Sequence, residues 1–291
     1  MSGYVLQIST YVALNWILAL GLYLAAASGQ LSLGHAAFMA IGAYSAAVLT
    51  TEFQVPLAVA IVAAALLSMA AGMVVASSSL RLRGIYLGLT TYAIGEVVVG
   101  VLENIDYVGG PRGYIGIPMS TSPGLAWGMG LALTAVVVVV MRSPASLALR
   151  AIKSDDVAAA AVGIPVERLK LLMFGFGAMI TGIGGALFAH YLGMLEPQNL
   201  GVHQSIRMLA FLVVGGEHSV LGPFVGALLL TLMQELLGAY SLMLYGLVII
   251  VAVIARPDGI VGRRFQPLPY RALAKPRRTD AVVTAALAKG P

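Results

Sequence analysis

Residues 1–51, MSGYVLQISTYVALNWILALGLYLAAASGQLSLGHAAFMAIGAYSAAVLTT, contain no Lys, Arg, Asp or Glu. Such a run exceeds the roughly 20 apolar residues that carry a helix across a bilayer, and residues 53–80 are again uncharged. Over the 291 residues, hydrophobic types make up 59%, charged types 10%, and the mean hydropathy is +0.93. A water-soluble domain carries about 25% charge, so water is not the main solvent of this chain. Within lipid every backbone N–H and C=O must be satisfied internally, which leaves helices or a closed barrel. The long Leu, Ala and Val runs exclude the short alternating strands of a barrel. The expected fold is an all-α integral membrane protein.

Apolar runs predict helices at 11–27, 35–50, 56–76, 85–102, 124–141, 171–192, 206–215, 224–237 and 239–255, about eight to nine transmembrane or re-entrant segments. No basic stretch precedes the first run and no cleavage site stands out, so this helix is expected to be retained. Fifteen of the seventeen Lys and Arg residues fall at Arg81 and Arg83, in 142–170, and in 256–291. The positive-inside rule assigns these three regions to the cytoplasm and accounts for the net charge of +5 without nucleic acid. The chain divides into a polytopic membrane domain at 1–263 and a basic tail at 264–291, expected to be poorly ordered near the inner leaflet. The polar stretch 104–123, with Gly109, Gly110 and Pro111, reads as an external loop. The side of the N-terminus stays open.

Parity exposes an irregularity. Between Lys170 and Arg256, one long span over 206–237 would put the tail outside. A break at Gly215, Gly216, Glu217, His218 and Ser219 restores an even number of crossings, but leaves halves too short for a comfortable span. Interrupted helices point to a transport pathway, because irregular backbone at membrane depth survives only where protein or water surrounds it. A second candidate break holds Gln30, Ser32 and His35. The two share a loose pattern, Gly29-x-x-Ser32 against Gly216-x-x-Ser219, which fits either an internal repeat or two unrelated helix contacts.

Ionisable residues inside spans are expensive and hence informative. Glu96 is the deepest, facing either a wet pathway or a partner on another helix. Glu217 and His218 belong either beside the pathway or in a cytoplasmic turn. His35 fits a hydrogen bond to a neighbouring helix as well as substrate contact. His190 is expected at the outer interface, and Arg207 and Glu235 close to span ends, where long side chains reach water. The four histidines have no paired ligand spacing, so no metal site is expected. Cysteine is absent, and no nucleophile elbow or other enzyme signature stands out.

In the large loop 142–170, Ser154 can cap a short helix through Asp155, Asp156 and residues 158–161, with Gly163 ending it and Pro165 stopping its continuation. The chain has no G-x-x-x-x-G-K-[ST] phosphate-binding loop, so any ATP and Mg would have to be bound by another chain, and no cofactor is expected in this one.

The strings SGQLSLGHAAFMAIGAY (28–44), LRLRGIYLGLTTYAIGEVV (80–98), LRAIKSDDVAAAAVGIPVERLKLLMF (149–174), GGALFAHYLGMLEP (184–197) and YGLVIIVAVIARPDGIVG (245–262) together resemble the LivM-type permeases of branched-chain amino acid ABC importers. The resemblance covers nearly the whole chain. It implies a second, LivH-type permease subunit, two cytoplasmic ATPases of LivG and LivF type, a periplasmic or lipid-anchored binding protein, and the bacterial inner membrane with a cytoplasmic C-terminus. The loop is similar to the coupling loop of ABC permeases, with Arg150, Lys153, Asp155, Asp156 and Gly163 at the ATPase contact. It departs from the usual pattern at Ala160, where an acidic residue is common. The implied cargo is branched-chain or other small apolar amino acids, with urea or short amides as alternatives. The rival from a different class is an ion-coupled secondary transporter with Glu96 or Glu217 carrying the proton.

Overall fold

The structure, a computed structural model, describes residues 2–79, 82, 84–237, 246, 250 and 259–261. The expected span at 239–255, the tail at 264–291, Arg81 and Arg83 lie outside the described residues, apart from positions 246 and 250. The rest is helical: α1 (Ser2–Ala27), α2 (His35–Thr51), α3 (Leu57–Ser79), α4 (Ile85–Glu103), α5 (Pro123–Arg142), α6 (Ala145–Ser154), α7 (Asp156–Ala161), α8 (Val166–Leu192), α9 (Val202–Gly215) and α10 (Gly222–Leu237). Two short strands, β1 (Tyr114–Ile115) and β2 (Met194–Leu195), pair antiparallel.

Among the described residues five helices, α1, α3, α4, α5 and α8, are long and apolar enough to cross a membrane. That is fewer than the eight to nine crossing or re-entrant helices read from the sequence. The difference lies in α2, α9 and α10, which have only 17, 14 and 16 residues. At 1.5 Å per residue α9 covers about 21 Å, short of a hydrocarbon layer of roughly 30 Å. The first helix begins at Ser2 rather than residue 11, and α8 at Val166 rather than 171, so Lys170 belongs to a helix and the large loop is shorter than expected.

The helix α8 forms the centre of the bundle, packed by α1, α2 and α3. Small residues allow this. A methyl group at Gly185 would stand 2.1 Å from the Met39 carbonyl oxygen of α2, and one at Gly182 would stand 2.2 Å from Ser68 Oγ of α3. Helices in lipid lack a hydrophobic drive toward one another and associate through such close backbone approach. The most apolar window of α8 is 78% buried in the chain, against 22% for α4 and 17% for α5, so the last two expose most of their surface.

The two ends of the bundle are distinct. At one end Tyr191 Oη donates to the Gln7 carbonyl, and β1 and β2 meet above α2. There Tyr114 Oη donates to Glu52 Oε1 at 3.2 Å and contacts the Thr51 hydroxyl, and burial raises its phenol above the ordinary tyrosine value. At the other end lie α6 and α7, the link from α1 to α2, and the turn between α9 and α10. The N-terminus of α1 is therefore at the end away from α6 and α7, which the sequence left open.

Candidate functional site

The first break is built by hydrogen bonds that replace a helical turn. Ser28 N and Gly29 N donate to the Ala25 and Ala26 carbonyls, and Ser28 Oγ bridges to Gln30 Oε1 at 3.0 Å. Beyond it, Leu33 N donates to Thr91 Oγ1 of α4, and Ala36 N to Ser205 Oγ of α9, both at 3.0 Å. Gly34 lies against α4 so closely that a methyl group there would stand 1.9 Å from the Thr91 carbonyl oxygen. The break is thus clamped from two sides. Ser32 Oγ accepts from Gly34 N, which makes it part of the turn.

His35 is fully buried, edge-on to Phe38 and Phe174 with ring centroids 5.3 and 5.2 Å away. Neither ring nitrogen has a hydrogen-bond partner among the described residues, so the expected bond to a neighbouring helix is replaced by aromatic packing. His190 behaves differently. Its Nδ1 donates to the Ala186 carbonyl, and Nε2 lies 2.9 Å from Thr50 Oγ1, within the helix interface.

The large loop forms two helices in place of one. The amphipathic α6 buries Leu149 and Ile152. Asp155, not Ser154, then caps α7, its carboxylate accepting from Val157 N at 2.9 Å and Ala158 N at 3.0 Å. Ser154 is still helical as the last residue of α6, so its backbone cannot take the extended conformation that a cap requires. Gly163, at φ +86, ends the element. Asp156 reaches back to α8, with its Oδ2 3.0 Å from Lys170 Nζ.

The second break follows α9. Gly216, at φ 112 and ψ 119, closes the helix by donating to the Leu212 carbonyl. Ile260 N and Val261 N donate to the Val214 and Gly215 carbonyls at 3.0 and 2.9 Å. These two carbonyls, left open at the end of a helix, are thus closed by a distant part of the chain. A methyl group at Gly215 or Gly222 would meet the facing backbone at 1.9 Å.

Two sets of residues that the sequence assigned separately meet here. Lys153 Nζ of α6 lies 3.0 Å from Glu217 Oε1. Lys153 also lies against Gly29 of the first break, its Cα 3.6 Å from where a Cβ on that glycine would be. Glu217, expected beside a pathway or in a turn, is in a turn at the α6 end. A polar cavity of about 380 Å³ opens nearby between Ser28, Gln30, Lys153, Asp155, Asp156 and Lys170, with Leu87 of α4 and the preceding Gly84 in its wall. Arg150 comes from the same helix, one turn before Lys153.

Glu96 is remote from this group. It is exposed on α4, about 16 Å along the helix from Ile85, and Oε1 lies 3.7 Å from where a Cβ on Gly201 would be. Gly201 directly precedes α9, so this helix starts beside the interior of α4 rather than at its end. Arg207 is consequently in the interior of the bundle's thickness, not near a span end as expected. It is half-buried, and its Nε has no partner among the described residues. His203 lies exposed one turn earlier. The sequence carries a signal for Arg207, an arginine in an apolar run, but that run begins only at residue 206, which places the arginine next to an apparent helix end. Glu235 accepts a hydrogen bond from Tyr4 of α1.

The family model described as "Branched-chain amino acid transport system / permease component" matches residues 4–254. The chain belongs to this permease family. It is 31% identical over 294 residues to the high-affinity branched-chain amino acid transport system permease protein LivM of Salmonella typhimurium, covering 88% of this chain and 69% of that one. It is 27% identical over 175 residues to LivH of Escherichia coli, covering 58% and 56%. Similarity extends to the ribose import permease protein RbsC of Haemophilus influenzae, at 24% identity over 89% of this chain and 86% of that one. No solved structure matches the chain. The permease is of LivM type, and its multi-pass helical fold agrees with the five apolar spans.

Proposed function

We propose that this chain is the transmembrane subunit of an ATP-driven importer that moves branched-chain or other small apolar amino acids by alternating access. It sits in a bacterial inner membrane, with α6, α7 and the C-terminal end facing the cytoplasm. One of the two ATPase subunits docks on the surface of α6 and α7 that carries Arg150, Lys153, Asp155 and Asp156, and a binding protein delivers cargo at the β1–β2 end. Similarity to LivM supports the cargo class, and the relation to ribose permeases marks the family's breadth.

The observation that carries this reading is the uncovered middle of α4. An ionised side chain facing lipid at the bilayer centre costs about 3 kcal/mol on insertion scales. Glu96, beside the start of the helix that carries His203 and Arg207, is therefore better matched by a second permease subunit around a wet passage. A zwitterion with an apolar side chain needs only a few polar groups there, and weak binding favours release.

The test is uptake of radiolabelled leucine into proteoliposomes that hold this chain, its partner permease and both ATPases, with binding protein and leucine outside. Uptake that requires ATP on the α6–α7 side is the expected result. Uptake that persists without ATP and collapses with an uncoupler would favour ion coupling through Glu96.

A further inference from the structure

The α9–α10 turn is held at two points. Its incoming helix ends on Ile260 N and Val261 N, and its first charged residue, Glu217, is paired with Lys153 of α6 at 3.0 Å. Gly215 and Gly216 stand immediately before that carboxylate, and Gly216 has a left-handed φ of 112 that side chains resist. The charged contact thus adjoins a helix end fixed by backbone hydrogen bonds and close glycine packing, so a displacement at Glu217 is passed on to α9 and α10. On the other side α6 is stiffened by its buried Leu149 and Ile152, so a push on α6 is carried by a packed helix rather than lost in a loop.

We infer that the Lys153–Glu217 ion pair is the mechanical link that passes displacement of α6 to the α9–α10 turn, staying joined while the turn moves. Both side chains are about 30% exposed, so water screens the pair and it adds little to static stability; its part is to join two elements at a fixed point. The inference rests on the importer reading and adds to it the residue pair through which work on the loop reaches the membrane. Lys153 and Glu217 act as positioning residues that need not touch cargo.

The test measures amino acid uptake and ATP hydrolysis together in the reconstituted importer. Lys153→Glu and Glu217→Lys each lower uptake per ATP hydrolysed by roughly fivefold or more, and the double exchange restores the ratio. Single variants with an unchanged ratio, or a double exchange that rescues nothing, overturn the link. A second measurement uses the absence of cysteine from the chain. Lys153→Cys with Glu217→Cys, joined by a short bis-maleimide, retains uptake if the two positions travel together. Arrest of uptake on joining them would mean that they must separate, and overturns the link. No ATP-driven uptake in the unmodified complex would instead overturn the importer reading, and the link with it.

Discussion

Asp155 illustrates how much one carboxylate does at an exposed position. Its Oδ1 alone accepts from two open N–H groups of α7, those of Val157 and Ala158, in a helix with only six residues and little cooperativity of its own. Asp155→Ala is expected to destabilise α7 by about 1 kcal/mol, while Asp155→Asn preserves most of the cap. Faster amide exchange confined to 156–161 would register the loss. Gly34 poses the opposite demand. Its missing Cβ lets the first break lie on the Thr91 carbonyl, and Gly34→Ala should lower the thermal midpoint of the purified chain, with a cost of about 3 kcal/mol or more because backbone must shift. Gly100→Ala, where nothing lies within 4 Å, serves as the control. The cap was legible to within one residue, because Ser and Asp both qualify and only the backbone of Ser154 decides between them. The meeting of Lys153 with Glu217 was not legible, since no local pattern ties residues so far apart in sequence.

Elements were read best where composition alone determines them. The uncharged run from residue 57 had to become α3, and the small-residue run of α8 had to become a packing centre. The break after Gly215 was foreseen because the count of crossings required it. The true start of α9 was missed for a physical reason. His203, Gln204 and Ser205 are too polar to extend an apolar run, yet they are helical, with Gln204 and Ser205 buried by the surrounding chain. Among the elements α4 makes the sharpest prediction. Glu96→Leu removes a charge from an exposed mid-span position and should leave the amount of inserted chain unchanged or raised, by up to about 3 kcal/mol on insertion scales. ATP-driven uptake should nevertheless fall at least tenfold, roughly the loss of one charged hydrogen bond in the passage. Normal uptake by this variant would remove Glu96 from the pathway.

Among the described residues the ion pairs Lys153–Glu217 and Lys170–Asp156 and both helix breaks lie at the α6–α7 end, and the start of α1 and the β1–β2 pair lie at the other. Cysteines introduced one at a time at Tyr107, Met119 and Val157 should therefore label from opposite sides of the membrane, the first two from outside intact cells and the third only after permeabilisation. Labelling of Val157 from outside would invert the orientation and with it the docking of ATPases. The bond from Ile260 and Val261 to the end of α9 also bears on biogenesis. Spans enter the bilayer in order of synthesis, but α9 receives its closing donors only from residues translated near the end of the membrane domain. A nascent chain therefore leaves the Val214 and Gly215 carbonyls open until that late segment emerges, and a chain stopped before residue 260 carries α9 with a frayed end.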